Sequence, residues 1–207
     1  MPPRNFTVID RSPRVSPRRN GNVGRTRSRS KMLVEPLVSF DCIDLADLNR
    51  CLIAWDHKMG PWERPNFGSQ SFHGVRHNGK LVAVTAAARL IPKQTAGLTR
   101  DVAFELGRVC ASTPHLCRPT LRLWREFAFP AICHVHGWTW AISYQDAKLH
   151  TGNLYKLDGW MSIGKSNSGT DNRSGKTGRS KIIWGWCDDV QRSLLTKEPV
   201  GQMEMAA

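Results

Sequence analysis

A group of hydroxyl, carboxyl and imidazole side chains follows an alternating apolar stretch in the second half of the chain. From 138 to 144, large apolar residues alternate with small or polar ones, which predicts a half-buried strand. Ser143, Asp146, His150 and Tyr155 lie at the end of that strand or soon after it. Such side chains donate and accept protons, and ligands usually bind at the carboxyl ends of strands in α/β sheets. The stretch is therefore a candidate active site. Two structural alternatives stay open: Asp146 as the cap of a helix, and Tyr155 as an ordinary core contact.

A second set of candidate residues lies earlier in the chain. Glu105 and Arg108 end a predicted strand over 101–109, where they either pair with each other at the sheet rim or orient a ligand. His57 follows the first predicted helix in a loop, so it is either a solvated surface residue or a functional one.

The spacing of these residues resembles one protein family. Ser-Tyr-x-Asp at 143–146, followed by His-x-Gly-x-x-Tyr at 150–155 and Trp160, is similar to the last strand and helix of phage Mom proteins. Those are DNA-modification enzymes on the GNAT acyltransferase fold. Glu-Leu-x-Arg at 105–108 matches a second part of the pattern, and the order of elements extends the resemblance roughly over Leu33–Trp160.

The resemblance implies an activity and a set of catalytic residues. It implies a transferase that carbamoylmethylates the exocyclic amine of adenine in phage DNA and protects that DNA from host restriction. Tyr155, Asp146 and His57 become the catalytic candidates, with Tyr155 placed to protonate a leaving thiolate. The chain departs from the family at Lys58, which stands where Mom proteins have a tyrosine after the histidine.

The same resemblance implies substrate contacts. Glu105, Tyr144 and His150 are the substrate-binding candidates, and the target base has to leave the duplex stack before it can react. Four aromatic side chains are candidates for stacking on that base, although each also suits a hydrophobic core: Trp62, Tyr144, Tyr155 and Trp160.

Acetyl-coenzyme A is the donor that the resemblance implies, with Ser143 and Arg108 as contacts. The turn before the helix expected at Pro119 would bind the pyrophosphate through backbone N–H groups. That turn is usually glycine-rich in the GNAT family, but Ser112 to Arg118 contains no glycine. Arg118, or the hydroxyl of Ser112 or Thr113, is the candidate to take the place of the glycine-rich loop in binding the pyrophosphate.

Two metal hypotheses follow from the ligand types. Iron has been suggested for Mom proteins, and His57, Asp146 and His150 form a two-histidine, one-carboxylate set that suits Fe(II). A rival zinc hypothesis uses spacings unlike those of known zinc fingers and rests on Cys110, His115, Cys117, Cys133, His134 and His136.

Charge and composition indicate a polyanionic partner. The 207-residue chain has a net charge of +13. Residues 1–31 hold eight Arg and one Lys against one Asp, a net +8, and 165–181 hold five basic residues against Asp171, a net +4. Double-stranded DNA is the expected partner.

The sequence indicates a cytoplasmic location, in the host cell if the protein is phage-encoded, because it has no membrane-length apolar run and no secretory signal. Its six cysteines form no CxxC pair, so we expect them to be reduced thiols.

The helices and strands that must position these residues follow from hydrophobic periodicity and from the positions of glycine, proline and capping residues. We expect a helix from Asp41 to Trp55, a hairpin over 69–90 around Asn78-Gly79, and a helix from Pro119 that Pro130 ends or kinks. A short helix capped by Asp146 should carry Leu149, Leu154 and Tyr155 and stop at Gly159, and a last strand should span 181–187.

This order predicts an α/β fold with a mixed sheet and helices on both faces. It also fits the fold that the resemblance implies, a GNAT-like mixed sheet with splayed central strands. Domain boundaries are expected at 1–31 for a disordered Arg-rich arm, 32–187 for the catalytic domain with a basic Gly/Ser loop at 165–181, and 188–207 for a loose tail. Two other functions stay open beside DNA modification. One is a GNAT N-acetyltransferase acting on a small-molecule or protein amine, and the other is a non-enzymatic DNA-binding phage protein.

Overall fold

The centre of the fold is a seven-stranded mixed sheet with the strand order β1-β2-β3-β6-β7-β9-β8. The computed structural model describes residues 37–65, 69–167 and 180–188, all within the unit Glu35–Ala207. The Arg-rich arm 1–31, residues 168–179 of the basic loop and the tail from 189 lie outside these residues, so the predictions about them stay predictions. Among the described residues, no helix combines the length and apolar character that a membrane crossing requires.

The elements have the following bounds: β1 Val38–Cys42, α1 Leu45–Ala54, β2 Gln70–His77, β3 Lys80–Arg89, β4 Gln94–Thr95, β5 Leu98–Thr99, β6 Ala103–Ala111, α2 Cys117–Leu123, α3 Phe129–His136, β7 Trp140–Asp146, α4 Asn153–Lys156, β8 Met161–Asn167 and β9 Ser180–Cys187. The short β4 and β5 pair with each other in a separate two-stranded sheet. The expected hairpin is confirmed, because Asn78 and Gly79 both have left-handed φ angles of 50° and 74° between β2 and β3.

The two central strands separate after a short parallel contact. β6 and β7 pair over three residue pairs only, ending at Glu105 opposite Ile142. On its other side, β6 continues along β3 to Ala111, and a bulge there leaves Gly107 without a partner between Leu106 and Arg108. The predicted GNAT-like sheet with splayed central strands is confirmed.

Helices cover both faces of this sheet. On β3, Ala87 joins a cluster with the α2–α3 region, while its neighbours Ala86 and Ala88 join a cluster with α1. Successive side chains of a strand point to opposite faces, so the two clusters lie on opposite sides. β7 is also covered on both faces, because Ala141 joins the α2–α3 cluster while Trp140 and Ile142 join a third cluster with Leu90 and Ile183. Trp140 to Ser143 are therefore all buried, where the alternating sequence predicted a half-exposed strand.

The helical segment after β6 differs from the prediction. It begins with a 3₁₀ turn at Pro114–Leu116, before Pro119, and it runs through Pro130 to His136. A π-helical segment, Trp124–Ala128, precedes the proline. Proline lacks an N–H and its ring clashes with the carbonyl four residues earlier, and the widened turn accommodates both effects.

Two further predictions about the C-terminal half were wrong. β8 was not expected, because its sequence around Gly164 alternates weakly and runs into the polar 165–181 segment. The short helix is α4, which starts after Gly152, so Asp146 does not cap it and Leu149 is exposed outside it. Asp146 instead ends β7 and closes a turn, with Oδ1 accepting from the Lys148 N–H at 3.0 Å. Gly159 does have the left-handed conformation expected after the helix.

Candidate active site

A chain of three polar groups bridges the gap between the separated central strands. Ser143 lies on β7 immediately after the last paired residue, and its hydroxyl donates to the Leu106 carbonyl of β6 at 2.8 Å. The Tyr155 hydroxyl lies 2.8 Å from the same Ser143 oxygen. Since the single Ser143 proton goes to Leu106, the Tyr155 O–H must be the donor to Ser143. A side chain thus replaces the strand-to-strand hydrogen bond at this position.

Tyr155 combines a core ring with a polar group at the splay. Its ring stacks on Trp184 with centroids 5.6 Å apart and meets the edge of Trp160 at 5.4 Å. Burial raises the pKa of Tyr155, which the hydrogen bond to Ser143 partly opposes. The phenol is therefore protonated at neutral pH and available as a proton donor, while Trp160 packs in the core instead of forming a stacking surface.

Glu105 occupies the last paired position of β6 and forms an ion pair that the sequence did not indicate. The Arg64 Nη2 atom lies 2.5 Å from Glu105 Oε2, and both side chains are largely buried. The other carboxylate oxygen, Oε1, lies beside Gly107. Burial raises the pKa of Tyr144, and the nearby Glu105 carboxylate contributes to the same direction. The Tyr144 hydroxyl lies 3.2 Å from Thr95 Oγ1. Glu105 and Tyr144, both substrate candidates, thus lie in one neighbourhood.

Trp62 packs over the bulge in β6. A Cβ atom at Gly107 would stand 2.8 Å from the Trp62 ring, so glycine is required there for the close approach. The Trp62 backbone N–H donates to Asn49 Oδ1 at 2.6 Å, which fixes the position of the residue. The guanidinium of Arg108 lies 5.2 Å from the centre of the Trp62 ring. Arg108 therefore lies on the α1 face with Glu105.

His57 lies in the loop after α1, near Arg108 and His150. Burial, together with the proximity of Arg108 and His150, lowers its pKa to about 4. Its Nδ1 atom accepts from the Met59 N–H at 3.3 Å, which places the proton on Nε2. His57 is thus neutral at pH 7 and presents a donor, so its chemistry suits hydrogen bonding to a ligand better than accepting a proton.

His150 and Asp146 belong to the turn that follows β7. The His150 side chain is exposed, and its backbone carbonyl accepts from Gln145 Nε2 at 2.6 Å, which holds the turn against the sheet. Asp146 supports the same turn, as its carbonyl accepts from the His150 N–H at 3.0 Å. His150 therefore lies near His57, whereas Asp146 supports the turn that follows β7.

The two metal hypotheses receive no support from the arrangement of the ligands. Across 37–65, 69–167 and 180–188, no three His, Cys, Asp or Glu side chains come together in a group that could hold a metal ion. The set of His57, Asp146 and His150 is therefore not assembled, nor is the cysteine and histidine set proposed for zinc. All six cysteines are free thiols.

The turn expected to bind a pyrophosphate is exposed at Ser112 and Thr113. Thr113 precedes the 3₁₀ turn without using its side chain as a cap. Arg118 does not face this turn in the structure, because its Nη2 atom donates to the Leu157 carbonyl at 2.8 Å and so ties α2 to the end of α4.

A buried carboxylate that the sequence did not indicate anchors α4. Asp158 is 2% exposed and accepts from Trp160 Nε1 at 3.2 Å, with Arg125 3.7 Å away. Arg125 also donates to the Asp158 carbonyl at 2.8 Å and lies over the Trp186 ring at 4.4 Å. These contacts hold the segment that carries Tyr155.

No local sequence pattern marks Asp158 or Arg64 as functional or structural residues. The isolated glycine in the β6 pattern, in contrast, is a known signal for a bulge such as the one at 107.

No protein-family model and no curated protein sequence matches the chain. Solved structures do match. An N-acetyltransferase from Staphylococcus aureus Mu50 has a TM-score of 0.52 and 8% identity over 72% of this chain and 97% of that one. A mutant of spermidine N-acetyltransferase from Vibrio cholerae has a TM-score of 0.51 and 10% identity over 74% and 95%. A GNAT-family protein from Desulfovibrio desulfuricans has a TM-score of 0.48 and 12% identity over 72% and 98%. The first two matches, with TM-scores above 0.5, show that the chain shares the α/β fold of these N-acetyltransferases.

Proposed function

We propose that this protein is an N-acyltransferase that moves an acyl group from a coenzyme A thioester to an amine. The observation that carries the proposal is the Tyr155–Ser143–Leu106 hydrogen-bonded chain at the point where β6 and β7 separate. It places a protonated phenol where the splay interrupts the sheet, and proton donation to a leaving thiolate needs such a group.

The residues present fit a thioester at this position. Beyond Glu105, β6 no longer pairs with β7, so its backbone is free of that partner over the segment that would face a pantetheine arm. Ser143, Leu106 and Tyr155 would line the thioester end. The exposed Ser112–Thr113 turn, with the backbone N–H groups after it, would face the phosphates. The thioester supplies the activated carbonyl carbon of the reaction.

Glu105 is the residue proposed to take the proton from the acceptor amine. In the transfer, a bond forms between the amine nitrogen and the carbonyl carbon, and the carbon–sulfur bond breaks. The proton lost by nitrogen goes to Glu105, and the Tyr155 phenol gives its proton to sulfur. Arg64 holds one carboxylate oxygen of Glu105, so Oε1 is the atom that would receive the proton. The neutral His57 would donate a hydrogen bond from its Nε2–H to the bound ligand.

A second candidate function is modification of the exocyclic amine of adenine in double-stranded DNA, as in the Mom proteins that the sequence resembles. The observation that favours it is the net charge of +13, concentrated in 1–31 and 165–181, which suits a phosphate backbone. Carbamoylmethylation adds a different group from acetylation, so this candidate needs further chemistry after or instead of simple acyl transfer.

Two assays on the same protein separate these candidates. Release of free thiol from acetyl-coenzyme A is measured with a panel of amines, and nucleosides from DNA of expressing cells are analysed by mass spectrometry. Tyr155→Phe serves as the inactive variant in both assays. Acylation of a free amine that Tyr155→Phe abolishes supports the first function, and a new adenosine adduct that it abolishes supports the second. If a folded protein binds DNA but is inactive in both assays, enzymatic function is refuted in favour of a DNA-binding role.

A further inference from the structure

Two guanidinium groups lie against the ring of one buried tryptophan on the α1 face of the sheet. The Cζ atoms of Arg64 and Arg108 lie 5.3 Å and 5.2 Å from the ring centre of Trp62. Trp62 is 2% exposed and packs on Gly107, so the ring is held in place. Both arginines are consequently positioned by packing instead of extending into solvent.

This cluster carries more positive than negative charge. Arg64 is paired with Glu105, so the two guanidinium groups and one carboxylate leave a net charge of +1. In the part of the chain that the structure describes, no carboxylate forms an ion pair with Arg108. Its Nη1 atom donates to neutral acceptors, the Gly107 carbonyl at 2.9 Å and Met59 Sδ at 3.5 Å. Burial lowers the pKa of Arg108, and the nearby Glu105 carboxylate opposes this only in part.

Three buried donors in the same cluster receive no acceptor from the described residues. They are Trp62 Nε1, Arg64 Nη1 and Arg108 Nε. A buried donor without an acceptor costs free energy, roughly 1–3 kcal/mol for a typical group, so a ligand that accepts from several of these donors would be stabilised. Donors of this kind beside a partly compensated guanidinium fit an oxyanion, because carboxylate and phosphate oxygens accept several charge-assisted hydrogen bonds.

We infer that the acceptor amine carries an oxyanion, a carboxylate or a phosphate, which Arg108 binds while the amine faces Glu105. This inference rests on the proposed acyltransferase function and names its acceptor class. Glu105 and Arg108 flank the bulge on one strand, so a single small molecule bearing both groups can reach them. A polyamine without an acidic group is disfavoured, because the net positive charge of the cluster repels it.

The first test uses matched acceptor pairs that differ by one anionic group. Glycine is compared with glycinamide, and O-phosphoethanolamine with ethanolamine, each with acetyl-coenzyme A. We expect kcat/KM to be at least about tenfold higher for the anionic member of one pair, and the preferred pair identifies the oxyanion as carboxylate or phosphate. Arg108→Gln should abolish the preference through a higher KM, and Arg50→Gln, an exposed arginine on α1, should retain it. Equal rates within both pairs, or equal effects of the two variants, overturn the inference.

The second test measures anion binding without turnover. In ¹⁵N-labelled protein, the Trp62 Nε1–H resonance, assigned with Trp62→Phe, is followed during titration with sodium phosphate and separately with sodium acetate. Sodium chloride at equal ionic strength is the reference. We expect a saturable shift with one of the two anions, absent in Arg108→Gln. No saturable shift with either anion refutes the site. A saturable shift in a protein that acylates no amine leaves the anion site standing and refutes the proposed function instead.

Discussion

The hydroxyl of Tyr155 lies 2.8 Å from Ser143 Oγ although the two residues belong to different elements, α4 and β7. The contact is fixed from both sides. Ser143 is held by its bond to the Leu106 carbonyl, and the Tyr155 ring is held between Trp160 and Trp184. A phenol positioned by both packing and hydrogen bonding is pre-organised for proton transfer at one point in the splay.

Tyr155→Phe should lower kcat by about 10²–10⁴-fold with little change in KM, because the ring remains and only the proton donor is lost. The free energy of unfolding should fall by about 1 kcal/mol, the contribution of one hydrogen bond. Steady-state kinetics and thermal denaturation measure both. Tyr144→Phe, at the other tyrosine of the chain, is the comparison: because Tyr144 is a substrate-binding candidate, any loss there should appear in KM, with kcat retained. An active Tyr155→Phe variant would remove the phenol from the mechanism.

Gly107→Ala should lower the free energy of unfolding by about 1–3 kcal/mol, since the new methyl group would stand 2.8 Å from the Trp62 ring. Urea denaturation measures the loss. In a background of Trp62→Leu the ring is gone, so Gly107→Ala should cost less there than in the wild type. Equal costs in the two backgrounds would mean that the methyl group is accommodated without displacing Trp62.

Asp158→Ala should destabilise the protein by about 1–3 kcal/mol, because the buried Trp160 Nε1–H loses its acceptor and Arg125 keeps only its ion pair with Glu126. Asp158→Asn should cost less, as its amide oxygen still accepts from Trp160 Nε1. Chemical denaturation compares them, and Asp56→Ala, whose side chain is 95% exposed, is the control. If Asp158→Ala unfolds like the control variant, the carboxylate does not anchor α4.

Stability should fall as the pH drops from about 6.5 towards 4, through His57 and His73. Burial lowers the pKa of both to about 4, so each is neutral in the folded protein and takes up a proton more readily when unfolded. Their contribution is full above pH 6.5 and decreases with acidification. At pH 5 the loss is about 2 kcal/mol for each histidine. His73→Phe can retain the stacking on Phe40. Between pH 7 and 5, its free energy of unfolding, measured by urea denaturation, should fall by about 2 kcal/mol less than that of the wild type. The same loss in both proteins would contradict the prediction.

Local signals were sufficient for several elements and insufficient for others. Asn78-Gly79 predicted its hairpin, because the required left-handed angles depend on those two residues alone. Asp146 illustrates the opposite case, since a good capping residue was present but the chain made a turn before α4 began after Gly152. The exposure of β7 was mispredicted because alternation describes one strand, whereas burial depends on what covers each face.

The sequence by itself determined the mixed α/β class, the element order apart from β4, β5 and β8, and the residues around Tyr155 and Glu105 that are able to transfer protons. Those features follow from periodicity and side-chain chemistry, which act within a few residues of the chain. The tertiary structure alone decided that Arg64 pairs with Glu105, that Arg108 joins Trp62 on the α1 face, and that Asp158 anchors α4. These contacts join residues 33 to 46 positions apart, and only packing of the sheet between its two layers brings such residues together.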